Sequence, residues 1–158
     1  MLNIRVSEDR DKKDIQTLLY EEGFKDIDLD SEKLHNSMVV CDSGEIIGYS
    51  AYNKIPNRNI AIIEILVIKN EFQGQYLGDG LIKSVLNLAD RRGISKVYVA
   101  ADHKNSMFLE KAGLTRRELD KSNDISAYIL AKSSNDTVEV FEAMLPDFFN
   151  KACKSSKG

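Results

Sequence analysis

The chain has 158 residues, 42% hydrophobic and 30% charged, with 22 Lys+Arg against 25 Asp+Glu for a formal charge of -3. That length suits one domain able to bury a core, and the composition is too apolar for disorder. An acidic balance without a basic stripe argues against nucleic acid, and no apolar run approaches the roughly 18 residues that span a bilayer.

Leu2, Ile4 and Val6 alternate with polar residues, which predicts an opening strand. In SEDRDKKDIQTLLYEEGF the residues Ile15, Leu18, Leu19 and Glu22 set a helical period, acidic residues crowd the start, and Gly23 stands at the C-terminal cap. DIDLDSEKLHNS supports one or two helical turns. Met38 to Cys41, DSGE and IIGYSAYN read as a hairpin around Gly44, and a further turn is expected near Asn57. Ile60 to Lys69 is β-branched and apolar, the pattern of a central strand covered on both faces, with Glu64 its one acidic interruption.

After NEFQGQYLGDG, the residues Leu81, Ile82, Val85, Leu86 and Ala89 define a helix that Gly93 ends. SKVYVAA is a strand and NSMFLEKAG a short helix closed by Gly113. DISAYILA and TVEVFEAML fit either period; the reading favours a short helix followed by a strand. The order β-α-β-β-β-α-β-α gives a mixed α/β (α+β) sheet, not a regular doubly wound one, because consecutive strands open the chain. One domain over 1–145 and a tail over 146–158 are expected.

Glu64 to Gly80, EILVIKNEFQGQYLGDG, carries the chemistry. A buried strand opens into a glycine-containing loop and then a helix N-terminus, where free N–H groups and the macrodipole favour a phosphate or pyrophosphate. Glycines at such a corner can equally serve the turn alone. The Walker pattern fails for want of Gly-Lys-Ser/Thr, and G-x-G-x-x-G fails because Gly74, Gly78 and Gly80 are wrongly spaced.

This run resembles motif A of the GNAT acyltransferases, in which an apolar strand leads to Arg/Gln-x-x-Gly-x-Gly/Ala. Gln73 opens the motif and Gly78 closes it; MFLEKAGL (107–114) resembles the family's Phe-Tyr-Glu-Lys-x-Gly-Phe segment. The resemblance covers about residues 3 to 118. It implies a single-domain, mainly antiparallel mixed sheet flanked by helices on both faces, and acetyl-CoA as cosubstrate. Leu66, Val67 and Ile68 would face the pantetheine arm with their backbone, Gln73, Gly74, Gln75, Tyr76, Leu77, Gly78 and Asp79 the pyrophosphate, and Asn105 and Phe108 the arm again. Two positions depart from the pattern. Tyr76 stands where the middle glycine belongs, so its side chain must point away from the phosphates. Leu109 replaces the Tyr that protonates the leaving thiolate in many relatives. Chains lacking that Tyr include the short amino-acid N-acetyltransferases similar to the acetyltransferase domain of N-acetylglutamate synthase, which LLYEEGF and MVVCDSGEIIGYSAYN also resemble.

An amine nucleophile must first lose a proton. Glu64 is the expected base, on the argument that burial in an apolar strand adjusts its basicity; the alternative is a carboxylate paired at the sheet face. Tyr98 is a candidate acid or a packing residue, and His103 a base, a substrate contact or a solvated loop residue. Tyr20 could line an acceptor pocket or simply end its helix. The acidic runs EDRDKKD and DIDLDSE read as solvated faces that would favour a cationic acceptor if they flank it. Cys41 and Cys153 lie far apart and His35 and His103 are the only histidines, so no metal site is expected and reduced thiols fit a cytoplasmic protein. MLNIRVSEDRDKKD turns charged too early for a signal peptide.

The sequence therefore predicts an acetyl-CoA-dependent N-acetyltransferase acting on a small amine, with an amino acid as one candidate. The transfer is direct within a ternary complex, without nucleic-acid or membrane partners. The alternative is a non-catalytic CoA-binding module. Phe141, Phe148 and Phe149 leave a homodimer contact open.

Overall fold

In the computed structural model, residues 2–24, 27–74, 76–101, 108–118, 139–145 and 148–149 are described. Seven strands run in the order β1-β2-β3-β4-β5-β7-β6: β1 (Leu2–Val6), β2 (Ser37–Asp42), β3 (Glu45–Lys54), β4 (Ile60–Ile68), β5 (Lys96–Ala101), β6 (Thr115–Arg117) and β7 (Glu139–Met144). β4 and β5 are parallel, while β1–β2, β2–β3, β5–β7 and β6–β7 are antiparallel. The sheet is thus mixed, as the element order implied, and mostly antiparallel, as the family resemblance implied. The chain divides into two compact units, Met1–Asn53 with Ile65–Arg92, and Lys54–Glu64 with Gly93–Gly158.

In the first unit the β2–β3 hairpin turns at Ser43 and Gly44, with φ of 51° and 87°. Two successive left-handed residues match the right-handed strand twist. Its register shifts between Val40 and Cys41. Helix α1 (Lys12–Glu21) buries Ile15, Leu18 and Leu19, the period read from the sequence, against Val39, Tyr49 and Val67. Each such side chain is worth about 2 kcal/mol on removal from water. Helix α2 (Ser31–His35) starts at Asp30, whose carboxylate accepts from the Lys33 N–H at 2.8 Å.

Helix α3 (Leu77–Arg91) buries Leu81, Ile82, Val85, Leu86, Leu88 and Ala89 and packs on β2. Gly48 of β3 lies between Val40 and Ile68: a Cβ there would sit 2.9 Å from Val40 Cγ2 and 2.8 Å from Ile68 Cδ1. Its missing side chain lets β2, β3 and the end of β4 close up.

In the second unit the chain turns through Asn57 (φ 63°) into β4. The β4–β5 register covers Ile60–Ile63 with Lys96–Val99. A helical turn over 108–111 ends at Gly113, where a Cβ would meet the Phe148 ring at 3.3 Å. TVEVFEAML contributes the strand β7, with Val140, Phe141 and Ala143 buried; DISAYILA lies outside the described residues. The sequence reading placed no strand at β6. Its residues are exposed, and they are held by pairing with β7 and by ion pairs Arg116–Glu139 (2.7 Å) and Arg117–Glu142 (3.5 Å).

Candidate functional site

The second half of β4 and the segment after it lie in the first unit. Lys69 N–H donates to the Ile47 carbonyl of β3 at 2.7 Å, and the fully buried Ser50 hydroxyl of β3 donates to the Ile65 carbonyl at 2.6 Å. Backbone groups of a strand alternate between its two edges. Residues 65, 67 and 69 therefore face β3, whereas Leu66 and Ile68 face the opposite edge. The side-chain amide of Gln73 confirms this by donating to the Ile68 carbonyl at 3.1 Å. Of the three strand residues expected to meet an extended ligand, Val67 turns its backbone towards β3. Leu66 keeps both its N–H and its C=O at the far edge, beyond Ile63, the last β4 residue in register with β5.

The chain then makes a 3-10 turn over Asn70–Phe72. Its entry is tied down twice: the Asn70 N–H donates to Glu22 Oε1 at 2.8 Å, and Lys69 Nζ meets Glu45 Oε1 at 2.6 Å, which raises the lysine pKa. Gly74 and Tyr76 both have left-handed backbone, φ 86° and 61°. Tyr76 is the N-cap of α3, provides no side-chain cap, and is 89% exposed. The first helical hydrogen bond donates from the Gly80 N–H to the Tyr76 carbonyl at 3.2 Å. Helix geometry thus leaves the Leu77, Gly78 and Asp79 N–H groups without intrahelical acceptors, at the positive end of the dipole. Asp79 would oppose an anion there, but its carboxylate is paired with Lys83 Nζ at 2.9 Å. The loop therefore presents several backbone donors and a positive helix end, the chemistry that holds a phosphate.

The left-handed backbone at residue 76 is one that glycine adopts without strain. A non-glycine residue there costs about 1–2 kcal/mol. The structure accommodates Tyr with its ring in solvent.

The proton-transfer candidates lie in the second unit. Glu64 is exposed and not enclosed by the apolar run around it, which removes burial as the reason for choosing it. Ala61, Ile62 and Ile63 before it are buried, and the buried run ends at Glu64. Tyr98 packs against the cluster of Ile55, Ile62 and Val140, with Lys96 Nζ 5.9 Å from its ring centroid; the packing reading is the one this position supports. Leu109 is 1% exposed and belongs to the core. Phe108 is half-buried, and its carbonyl accepts from the Ala112 N–H at 2.9 Å. Gln75, His103 and Asn105 lie outside the described residues, as does Cys153.

A groove of about 320 Å³ in the first unit is lined by Asp14, Glu21 and Glu45 together with Lys69. Tyr20 is exposed at the end of α1 and is not among its lining residues. Asp11 corrects the reading of EDRDKKD as a wholly solvated face. It is 4% exposed, joined to Arg5 by two hydrogen bonds of 2.7 and 2.9 Å, and accepts from the Glu8 N–H at 2.7 Å.

A strand ending in a phosphate-type loop and helix, set within a mixed and mostly antiparallel sheet, defines an α/β class of protein with a site suited to a phosphate-bearing ligand. The family profile described as "Acetyltransferase (GNAT) family" matches residues 3–114. The chain belongs to the GNAT acetyltransferase family, whose members move an acetyl group from acetyl-CoA. No curated protein matches the chain. Among solved structures, it is similar to N-acetylglutamate synthase from Neisseria gonorrhoeae complexed with coenzyme A and N-acetyl-glutamate. The TM-score is 0.72 and the identity 17%, over 92% of this chain and 35% of that one, so the chain spans about a third of the synthase. It is also similar to Rv2747 from Mycobacterium tuberculosis in complex with CoA and NLQ (TM-score 0.70, 14% identity, 90% and 99% covered). A third is the diaminobutyrate acetyltransferase EctA from Paenibacillus lautus with L-2,4-diaminobutyric acid and coenzyme A (0.63, 14%, 91% and 95%). Among the described residues, no helix is long and apolar enough to cross a membrane.

The sequence reading missed three contacts: Ser50 on the Ile65 carbonyl, Gln73 on the Ile68 carbonyl, and Glu22 on the Asn70 N–H. The Ser50 and Glu22 contacts join residues distant in sequence that only the fold brings together, while Gln73 and Ile68 lie five residues apart across the turn. The Asp79–Lys83 pair, four residues apart in a helix, was readable from spacing.

Proposed function

We propose that the chain is an N-acetyltransferase that transfers the acetyl group of acetyl-CoA directly to the amine of a small cytoplasmic molecule, with an amino acid the leading class. The observation that carries this reading is Leu66. Its N–H and C=O share the β4 edge away from β3, immediately before the loop whose amides and helix dipole suit a pyrophosphate. An amide-containing arm can add to such an edge as a short strand. The pyrophosphate would then lie at Leu77, Gly78 and Asp79 N–H.

The acceptor amine attacks the thioester carbonyl once it has lost its proton. Glu64, exposed and therefore reachable, accepts that proton directly or through water. Collapse of the tetrahedral intermediate expels the CoA thiolate, which takes up the second proton shed by the nitrogen as the amide forms. A free thiol has a pKa of about 8.5, so this leaving group departs near neutral pH without an acid. Leu109 in the place of the acidic Tyr is compatible with that chemistry. The amino-acid class is supported by the ligands named in the complexes of the similar synthase and of the diaminobutyrate enzyme.

The test is thiol release from acetyl-CoA measured across a panel of amino acids and diamines, with Glu64→Gln alongside the parent. At least one amine should raise release well above hydrolysis, and Glu64→Gln should lower kcat about 10²-fold or more, with partial recovery at high pH. Release that no amine raises would leave the non-catalytic CoA-binding module as the better reading.

A further inference from the structure

Among the described residues, three non-glycine positions have left-handed backbone: Ser43, Asn57 and Tyr76. Ser43 and Asn57 are small polar residues in turns, where this conformation is commonly tolerated. Tyr76 is different. It is a bulky aromatic in a glycine-favouring conformation, and at 89% exposure it is the most exposed of the large hydrophobic side chains described. Strain is ordinarily offset by packing within the fold, but this ring gains almost none. Residues held in strained conformations without an internal reason cluster where a ligand is gripped.

The ligand's chemistry follows from where the ring stands. Tyr76 is the N-cap of α3, next to the Leu77, Gly78 and Asp79 amides assigned above to a pyrophosphate. In CoA, the adenosine is joined to that pyrophosphate by a single ester link, so a base leaving the loop passes the residue at the helix cap. A flat aromatic ring in solvent offers an adenine a stacking face and buries apolar surface of both.

We infer that Tyr76 is a specificity-determining residue that stacks on the adenine of CoA, so that this chain favours the full nucleotide carrier over a 4′-phosphopantetheine carrier. The inference rests on the proposed acetyl-CoA function and deepens it.

Calorimetric dissociation constants for acetyl-CoA and for S-acetyl-4′-phosphopantetheine, which lacks the adenosine together with its 3′-phosphate and one phosphate of the pyrophosphate, test it on four proteins. These are the parent, Tyr76→Phe, Tyr76→Gly and Tyr76→Asn. Glycine and asparagine both accept the left-handed backbone, so these variants keep the loop's conformation. The expected result is about tenfold weaker acetyl-CoA binding in the Gly and Asn variants, unchanged binding in Tyr76→Phe, and no change for the truncated carrier in any of them. Unchanged acetyl-CoA affinity in the Gly and Asn variants would overturn the inference. So would an equal loss for both carriers, which would assign the effect to loop geometry, or a loss in Tyr76→Phe, which would assign it to the hydroxyl. A parent that binds truncated and full carriers equally well sinks the stacking inference and the pyrophosphate placement together, whereas unaltered acetyl-CoA affinity in the Gly and Asn variants sinks the stacking inference alone. A parent that binds neither sinks the proposed function with it.

Discussion

Asp11 shows how one side chain can serve two purposes. Its carboxylate receives both Arg5 donors and the Glu8 N–H, so it joins β1 to the start of α1 and closes the turn before that helix. The Arg5 hydrogen bonds outweigh the desolvation penalty and hold the carboxyl below its ordinary value of 3.8. A carboxylate with a depressed folded-state pKa contributes stability above its unfolded value, and that contribution is lost as pH falls through the folded value. Asp11→Asn should therefore lower stability by about 2 kcal/mol at pH 7, the scale of a broken, partly buried pair. The gap between variant and parent should shrink below pH 4, where the parent loses the same interaction. Denaturant titration at pH 7 and pH 3 checks this; a gap of equal size at both would contradict the assignment.

At the scale of elements, β4 and its flanks organise the site. Gly48 allows β2 and the end of β4 to approach, and a methyl group there would meet Val40 and Ile68 inside contact distance. Gly48→Ala should destabilise the protein by about 1–3 kcal/mol through overpacking. Because Ile68 leads directly into the loop, the same change should also raise KM for acetyl-CoA; thermal melting and steady-state kinetics together separate the two effects. An alanine variant that melts with the parent and keeps its KM would contradict the close packing.

Elements governed by local pattern were legible in the sequence. The hairpin at Ser43 and Gly44, the apolar stripe of α3 and the caps at Gly23 and Gly93 all follow from neighbouring residues. The edge of the sheet was not. The β6 residues Thr115, Arg116 and Arg117 have no apolar alternation, and only β7 and its glutamates, far along the chain, make them a strand. The burial expected of Glu64 failed for a related reason. A lone acid in an apolar run looks buried in one dimension, but burial is decided by what other strands place over it.

For the molecule as a whole, the groups suited to a nucleotide carrier, Leu66, Gln73, Gly74 and the α3 N-terminus, all fall within one compact unit, while Glu64 and Tyr98 fall within the other. Sequence motifs pointed to the first set because a phosphate is held by backbone and glycine, which leave a local signature. The acceptor has no such signature, since its contacts come from side chains dispersed along the chain.

The loop before α3 is proposed to bind the pyrophosphate of acetyl-CoA. Calorimetric titration of the parent and of Gly78→Glu with acetyl-CoA tests it most directly, because the substitution sets a carboxylate among the donating amides. Saturable binding by the parent, weakened at least about a hundredfold in Gly78→Glu while the variant melts within a few degrees of it, is the result predicted. Equal affinity in the two proteins, or no binding by the parent, would contradict the account.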